Sequence, residues 1–166
     1  MNGISSITHK SEDISDRKLA KQWKKFPFAK ARDYVKRLQT RIAKAVKNGQ
    51  YRLARRLQYL LTHSFYAKML AVQRVTKNRG KRSAGVDGEK WTTPEQKMKA
   101  ALTLSDKGYR AKPLRRIYIP KPQSSKMRPL SIPTMYDRAM QALYAMALMP
   151  WAETTADKTS FGFRMK

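Results

Sequence analysis

The 166-residue sequence predicts a mainly helical α+β fold, in which an amino-terminal helical hairpin is followed by a β-hairpin and a further helix. Apolar residues recur at helical spacing over residues 29–48 and again from about residue 50 to residue 75. Over residues 114–132 they alternate instead, as in half-buried strands. This change of period predicts helices and strands in separate segments of one chain.

The helical hairpin is predicted to turn at Gly49, because glycine readily ends a helix in the left-handed conformation. We expect residues 29–92 to form a basic helical extension. Residues 1–28 are polar and mixed in charge, so we expect a flexible leader that only its aromatic residues could anchor. Each predicted helix carries one apolar stripe. The stripes consist of Val35, Leu38, Ile42, Ala45 and Val46, and of Leu53, Leu57, Leu60, Leu61 and Ser64.

The second half of the chain has its own start and stop signals. Thr93 is a cap candidate for a helix that ends at Gly108, and two strands, 114–119 and 127–132, flank a basic turn. Asp137 starts or caps an apolar helix that is expected to end at Pro150. The methionines of this helix are expected to fill the core rather than bind metal. They are Met135, Met140, Met146 and Met149.

Positive charge gives the clearest indication of a partner. The chain has 37 Lys and Arg against 11 Asp and Glu, a formal net charge of +26. Such a fold repels itself, and binding of phosphates would relieve the repulsion. Residues 34–86 contain fourteen basic residues and no acidic one. We therefore expect an RNA-facing surface, the alternative being an ordinary solvated basic surface, which normally carries charges of both signs.

Eleven basic side chains are the candidates for contact with RNA phosphates. They lie on the two helices of the hairpin, in a loop that contains Gly80, Gly85 and Gly88, and at the start of the first strand. The glycine loop lacks the spacing of a nucleotide-binding P-loop. The candidates are Arg37, Arg41, Lys44, Arg52, Arg55, Arg56, Arg79, Lys81, Arg82, Arg115 and Arg116.

Other classes of protein are disfavoured by composition. The chain has no cysteine and two distant histidines, His9 and His63, so we expect no disulfide, no metal site and no cofactor in this chain. The longest apolar run, residues 139–152, is too short to cross a bilayer, and the amino terminus lacks the apolar core of a secretory signal. We expect an intracellular protein without membrane contact, in a prokaryotic cytoplasm or an organelle.

A series of short motifs resembles the fingers region of group II intron-encoded reverse transcriptases, or maturases. The motifs are GVDG at 85–88, LRRIYIPK at 114–121, RPLSIPT at 128–134, DRAMQ at 137–141 and SFGFR at 160–164. Their order and spacing also agree, and the resemblance covers roughly residues 30–166. It implies that residues 93–166 form the fingers subdomain of a right-hand polymerase, with the basic helices as an RNA-binding extension.

The resemblance also implies that Lys121 and Arg128, at the two sides of the hairpin turn, bind the triphosphate of an incoming nucleotide. An ammonium and a guanidinium on a mobile hairpin can offset phosphate charge. Without the resemblance, ordinary surface charges would be the preferred interpretation. The sequence departs from the family at Gln123-Ser124-Ser125, which lengthens the turn, at Ser131 and at Phe161. These departures leave the register of Lys121 and Arg128 open.

The family's metal-binding aspartates would follow the motif at 160–164, so we expect no polymerase activity from this chain alone. Glu153 and Asp157 are expected to be solvated or capping rather than metal-binding. For the full-length family enzyme the resemblance implies Mg²⁺ as cofactor. It implies intron RNA and template RNA as partners, with target DNA as a further candidate, and palm and thumb in the same or a second chain. The alternatives are a stand-alone RNA-binding protein derived from the fingers and one subunit of a split reverse transcriptase.

Overall fold

A computed structural model describes the backbone of residues 4–123 and 125–157, and the side chains of residues 15–123 and 125–157. The motif at 160–164 lies outside these residues. The described elements are helices α1 (Ile4–Lys25), α2 (Phe28–Lys47), α3 (Tyr51–His63) and α4 (Phe65–Lys77), a 3-10 helix (Arg79–Arg82), α5 (Pro94–Thr103), strands β1 (Arg115–Pro120) and β2 (Met127–Ile132), and α6 (Met135–Thr155). The expected mainly helical α+β fold is confirmed.

The helical hairpin turns at Gly49, as the sequence predicts. Gly49 has a φ of +68°, the left-handed region that glycine enters without a steric cost. Its N–H donates to the Val46 carbonyl at 3.0 Å, and the Gln50 N–H donates to the Ala45 carbonyl at 2.8 Å. These two bonds form a Schellman motif, which satisfies carbonyls at the end of α2 and directs the chain into α3.

The prediction of a single helix from residue 50 to residue 75 is wrong. The structure has two helices there, α3 and α4, separated at Ser64. Ser64 is extended, with φ −69° and ψ 130°. The break has a packing reason: α4 is buried on several sides, and Ala67, Met69 and Val72 have no exposed surface. A helix that is apolar around much of its circumference must run through the core, whereas α3 lies on the surface.

The apolar stripe of α3 is only partly as predicted. Leu57 and Leu61 are buried, but Leu53 and Leu60 are 42% and 53% exposed. Both exposed leucines lie on the flank of α3 opposite to the buried Ala54. The prediction failed because helical spacing alone does not show which edge of an apolar stripe faces the core.

The flexible leader expected over residues 1–28 differs from the structure, which has helix α1 there. The helix packs along α5, where Lys99 Nζ lies 2.6 Å from Asp16 Oδ1. Leu19 and Trp23, four residues apart, pack against the core. This i, i+4 pair was present in the sequence, but it is surrounded by charged residues that lower the mean hydropathy. The expected anchoring by aromatic residues is confirmed at Trp23.

Two further boundaries differ from expectation. Helix α5 begins at Pro94 after Thr93, as predicted, but ends at Thr103, because Gly108 belongs to a separate turn. Helix α6 does not end at Pro150 but continues to Thr155. Thr134 is its N-cap, so Asp137 lies within the first turn.

The core unites α2, α3, α4, α5 and α6. The methionines behave largely as expected, since Met135 and Met140 are buried and Met146 packs against the same cluster. The β-hairpin is confirmed, with β1 antiparallel to β2, and its strands pack mainly on each other. Among the described helices, none combines the length and apolar composition that a membrane-spanning segment needs.

Candidate nucleic-acid interface

Helix α2 presents its basic residues on the side opposite to its core face. Arg37, Arg41 and Lys44 follow one another at i, i+4 and i+7, so they share one face of the helix. All three are exposed. Arg37 and Arg41 also line a shallow depression on the surface. The spacing gives three cations within about two helical turns, at the distance scale of successive phosphates on a nucleic-acid strand.

Helix α3 continues the basic surface beyond the Gly49 turn. Arg52, Arg55 and Arg56 are exposed on the side of the helix away from the buried Ala54 and Leu57. Tyr59 and His63 lie on the same exposed side, one and two turns farther along. The surface of α3 therefore combines guanidinium groups with aromatic rings, which a merely solvated basic helix does not need.

Asp33 lines the same depression as Arg37 and Arg41, but among the described residues no ion pair joins a carboxylate to a candidate RNA-binding side chain. Among the described residues, Asp16 forms an ion pair with Lys99 and Asp87 with Lys112, and Asp106 lies against His63. Within the part of the chain whose side chains are described, none of the eleven candidates has an ion-pair partner. Their charge is therefore available to an external anion.

Arg138, which the sequence analysis did not single out, organises the glycine loop. Its Nη1 donates to the Gly80 carbonyl at 2.8 Å, its Nη2 to the Ser83 carbonyl at 2.6 Å, and its Nε to the Pro133 carbonyl at 2.9 Å. The 3-10 helix that carries Arg79, Lys81 and Arg82 is thereby held against the end of β2. The sequence did offer one signal for Arg138, since it is a charged residue in the first turn of a helix that is otherwise mostly apolar.

Gly85 brings the same loop into direct backbone contact with the start of α6. A Cβ atom added at Gly85 would lie 2.6 Å from the Thr134 Cα and 2.8 Å from the Thr134 nitrogen. Backbone atoms cannot move aside as a flexible side chain can, so only glycine fits this position. The GVDG motif therefore has a packing role at its first residue.

Asp137 fixes the segment that leads into β1. Its carboxylate is 3% exposed and accepts hydrogen bonds from the Tyr109 hydroxyl and the Thr134 hydroxyl, both at 2.6 Å. Burial alone would raise the pKa of Asp137, but the hydrogen bonds from Thr134 and Tyr109 outweigh it and lower the pKa. Burial and the bond to Asp137 raise the pKa of Tyr109 to about 12. Asp137 is thus an ionised structural group.

The hairpin register places Lys121 and Arg128 on one face. Arg128 pairs with Ile119, and the Lys121 N–H donates to the Lys126 carbonyl at 3.0 Å. Side chains alternate between the faces of a strand, so Lys121 shares a face with Ile119 and lies diagonally across from Arg128. Both side chains are exposed. Gln123, in the turn, has a φ of +59°, a conformation that glycine adopts more easily.

The structure thus divides the eleven candidate RNA-binding residues into two groups. Six lie on the α2–α3 hairpin, and five lie in the Arg138-tethered loop and at the start of β1. Arg115 pairs with Ile132, next to the Pro133 that Arg138 binds, so the second group surrounds the base of the β-hairpin. Lys121 and Arg128 lie at its tip. Among the described side chains, no three His, Asp or Glu come together as a metal-binding group.

Comparison with known proteins agrees with the sequence motifs. Residues 23–104, which include α2 to α5, match the family model of the N-terminal domain of reverse transcriptase. Over 124 residues the chain is 35% identical to the group II intron-encoded protein LtrA of Lactococcus lactis subsp. cremoris, a match that covers 71% of this chain and 20% of the relative.

A second relative is Protein YkfC of Escherichia coli K12, 35% identical over 116 residues, which are 66% of this chain and 30% of the relative. The chain therefore spans less than a third of the length of each relative. The resemblance to group II intron reverse transcriptases is confirmed for the amino-terminal region. The match at residues 23–104 and the 35% identity to LtrA together support assignment to the amino-terminal region of a group II intron reverse transcriptase or maturase.

Proposed function

We propose that the chain is the RNA-binding amino-terminal part and fingers of a group II intron reverse transcriptase. The observation that carries the proposal is the surface of α2 and α3, where six exposed basic side chains have no carboxylate partner among the described residues. A surface of this kind gains free energy by releasing the counterions of a polyphosphate. Because LtrA is a group II intron-encoded protein, intron RNA is the first candidate ligand.

The β-hairpin takes a different part in this proposal. Lys121 and Arg128 share one face at its exposed tip, so one triphosphate could contact both. We assign them to the incoming nucleotide of the whole polymerase, with template RNA passing the base of the hairpin. The described residues offer no cluster of carboxylates for Mg²⁺, and no step of nucleotidyl transfer is assigned to them.

The proposal is tested by titrating a structured RNA with the chain at several salt concentrations. Affinity should fall by about 10³-fold or more between 50 and 200 mM salt if six or more phosphates are neutralised. Arg37→Ala and Arg56→Ala should each weaken binding and reduce the salt slope by about one. Lys90→Ala removes an exposed charge that is not among the eleven candidates, from the segment before α5, and is the matched control.

Variants of the β-hairpin test the second part of the proposal, the role of Lys121 and Arg128. Lys121→Ala and Arg128→Ala should weaken RNA binding by the chain much less than Arg37→Ala does. In a polymerase that carries this region together with its palm, the same two changes should raise the nucleotide concentration needed for synthesis or slow the chemical step. A salt-independent affinity would contradict the RNA-binding proposal. Normal nucleotide use combined with severe loss of RNA affinity would make Lys121 and Arg128 template contacts.

A further inference from the structure

The exposed side of α3 carries a stripe of residues that its fold does not require. Arg52, Arg56, Tyr59 and His63 recur at i, i+4, i+7 and i+11, a spacing that keeps them on one helical face. The opposite face carries Ala54, Leu57 and Leu61, which pack in the core. Because α3 is already anchored by these apolar residues, the stripe is free to serve contact with another molecule.

Tyr59 is the unusual member of this stripe. Its side chain is 62% exposed, the most exposed large apolar residue among those with described side chains. One face of its ring stacks on the His63 imidazole, with ring centroids 3.9 Å apart and an angle of 24° between the planes. With 62% of the residue exposed, this stack leaves much of the ring uncovered. Tyr59 is therefore held in place without being covered.

His63 is itself fixed, so the stack is prearranged. Its Nδ1 can donate to the Tyr59 carbonyl oxygen at 3.0 Å, and its Nε2 lies 3.5 Å from Asp106 Oδ1, where an ion pair forms only when the ring is doubly protonated. Asp106 also accepts a hydrogen bond from the Tyr144 hydroxyl at 3.0 Å. Contacts from α3, α6 and the loop after α5 thus hold the imidazole beneath Tyr59. An ordered aromatic surface loses little conformational entropy when a further ring stacks on it.

Exposed single tyrosines are common, and Tyr59 alone would indicate nothing. Its position beside Arg52 and Arg56 decides the chemistry of the partner. Guanidinium groups bind phosphates, and an open aromatic face beside them fits a nucleobase that is not stacked inside a duplex. A protein partner would have to be strongly acidic to lie on this face. A continuous RNA duplex would offer the arginines its phosphates but would offer Tyr59 no free base.

We propose that the face of α3 formed by Arg52, Arg55, Arg56, Tyr59 and His63 is a stacking platform for an unpaired RNA nucleotide. The arginines bind the phosphates that flank this nucleotide, and its base stacks on the open face of Tyr59. The inference rests on the proposed function, since it specifies which kind of RNA the basic surface prefers. The preferred ligand is a single strand, loop or bulge rather than a continuous duplex.

The test uses two RNA probes and the full chain. One probe is a single strand of about a dozen nucleotides with 2-aminopurine in its centre, and the other is a blunt duplex of similar length. Tyr59→Ala should weaken binding of the single strand about tenfold, abolish the change in 2-aminopurine fluorescence and alter duplex binding less than about twofold. Tyr59→Phe and Tyr59→Trp keep a ring and should bind like the unaltered chain.

Two further variants separate the possible outcomes. Leu60→Ala truncates an exposed apolar neighbour on α3, 53% exposed, and should change neither affinity. Arg56→Ala should weaken both probes, because phosphates are common to both. If Tyr59→Ala behaves like Leu60→Ala, or weakens both probes equally, the platform is overturned while RNA binding stands. If the unaltered chain binds neither probe, the platform and the proposed function both fail.

Discussion

Asp137 shows how a single residue connects the sequence motif to the fold. It belongs to the DRAMQ motif, and its sequence position suggested a helix start. In the structure its carboxylate joins Thr134 at the start of α6 to Tyr109, which precedes β1. Burying this ionised group costs free energy. The cost is offset by hydrogen bonds that are strong because their acceptor is charged. Sequence analysis could identify the residue, but the Tyr109 partner, 28 positions away, has no local signal.

The lowered pKa of Asp137 predicts a pH-dependent contribution to stability. A carboxyl group with a folded pKa below its unfolded value of about 3.9 stabilises the fold above that pH, and this contribution disappears as pH falls through the folded pKa. Asp137→Asn should lower the free energy of unfolding by about 1–3 kcal/mol at neutral pH. The difference from the unaltered chain should shrink below about pH 4.

Urea titrations monitored by circular dichroism between acidic and neutral pH measure this difference. Asp33→Asn, an exposed carboxylate on α2, is the matched control and should be nearly neutral throughout. A difference that grows as the pH falls would show that Asp137 is not ionised in the folded chain. Tyr109 makes stability depend on pH in the alkaline range. Because its pKa is raised to about 12, its contribution to the free energy of unfolding is fully present below about pH 10 and is lost as the pH rises further.

At the scale of elements, most helices and both strands were predictable, because each has a local period and local end signals. Gly49, Thr93 and the alternation around Ile117 and Ile119 sufficed for the two hairpins and the start of α5. The break at Ser64 and the passage through Pro150 were not predictable. Both depend on packing against distant segments, which a window of neighbouring residues does not contain.

Helix α6 passes through Pro150 because another element supplies the missing hydrogen bond. Proline has no N–H, so Pro150 cannot donate to the Met146 carbonyl four residues earlier. In the structure Gln39 Nε2, from α2, donates to that carbonyl at 2.8 Å. Gln58 Nε2, from α3, donates to the next carbonyl, that of Ala147, at 3.1 Å. The helical hairpin therefore stabilises the helix that it packs against.

This arrangement predicts coupling between Gln39 and Pro150. Gln39→Leu should lower the free energy of unfolding by about 1–3 kcal/mol, because the partly buried Met146 carbonyl loses its partner. With Pro150→Ala the backbone N–H returns, so Gln39→Leu should then have a clearly smaller effect. A double-mutant cycle by chemical denaturation measures the coupling. Thr40→Ala, an exposed neighbour on α2, serves as control, and strictly additive effects would contradict the compensation.

The candidate site could be predicted only in part for the same reason. The basic stretch from residue 34 to residue 86 is a property of composition, and the sequence located it directly. The placement of Lys121 and Arg128 on one face required the register of the hairpin, in which Arg128 pairs with Ile119. The roles of Arg138 and Gly85 were missed because each contacts backbone of a distant segment. Tyr59 was missed because nothing in the sequence distinguishes an exposed tyrosine from a buried one.

At the scale of the whole molecule, the net charge of +26 opposes folding as well as attracting RNA. Like charges lie on adjacent turns of α2 and α3, and the described residues provide few carboxylates to separate them. The folded chain is therefore under electrostatic repulsion that the expanded chain partly escapes. Added salt screens this repulsion over a distance of about 10 Å at 0.1 M.

The two effects of salt should consequently have opposite signs. The melting temperature of the RNA-free chain should rise by several degrees as salt increases to about 0.5 M, since about 1 kcal/mol corresponds to roughly 2–4 °C in a domain of this size. RNA affinity should fall over the same range, because the release of counterions contributes less free energy as the salt concentration rises.

Replacing Arg52, Arg55 and Arg56 together with glutamine should raise the melting temperature at low salt and reduce its dependence on salt. Thermal denaturation of both proteins across a salt series checks this, with the triple replacement of the exposed Thr40, Thr103 and Gln141 by alanine as an uncharged comparison. A melting temperature that falls with salt would mean that ion pairs stabilise the fold more than repulsion destabilises it, and the exposed arginines would then be structural.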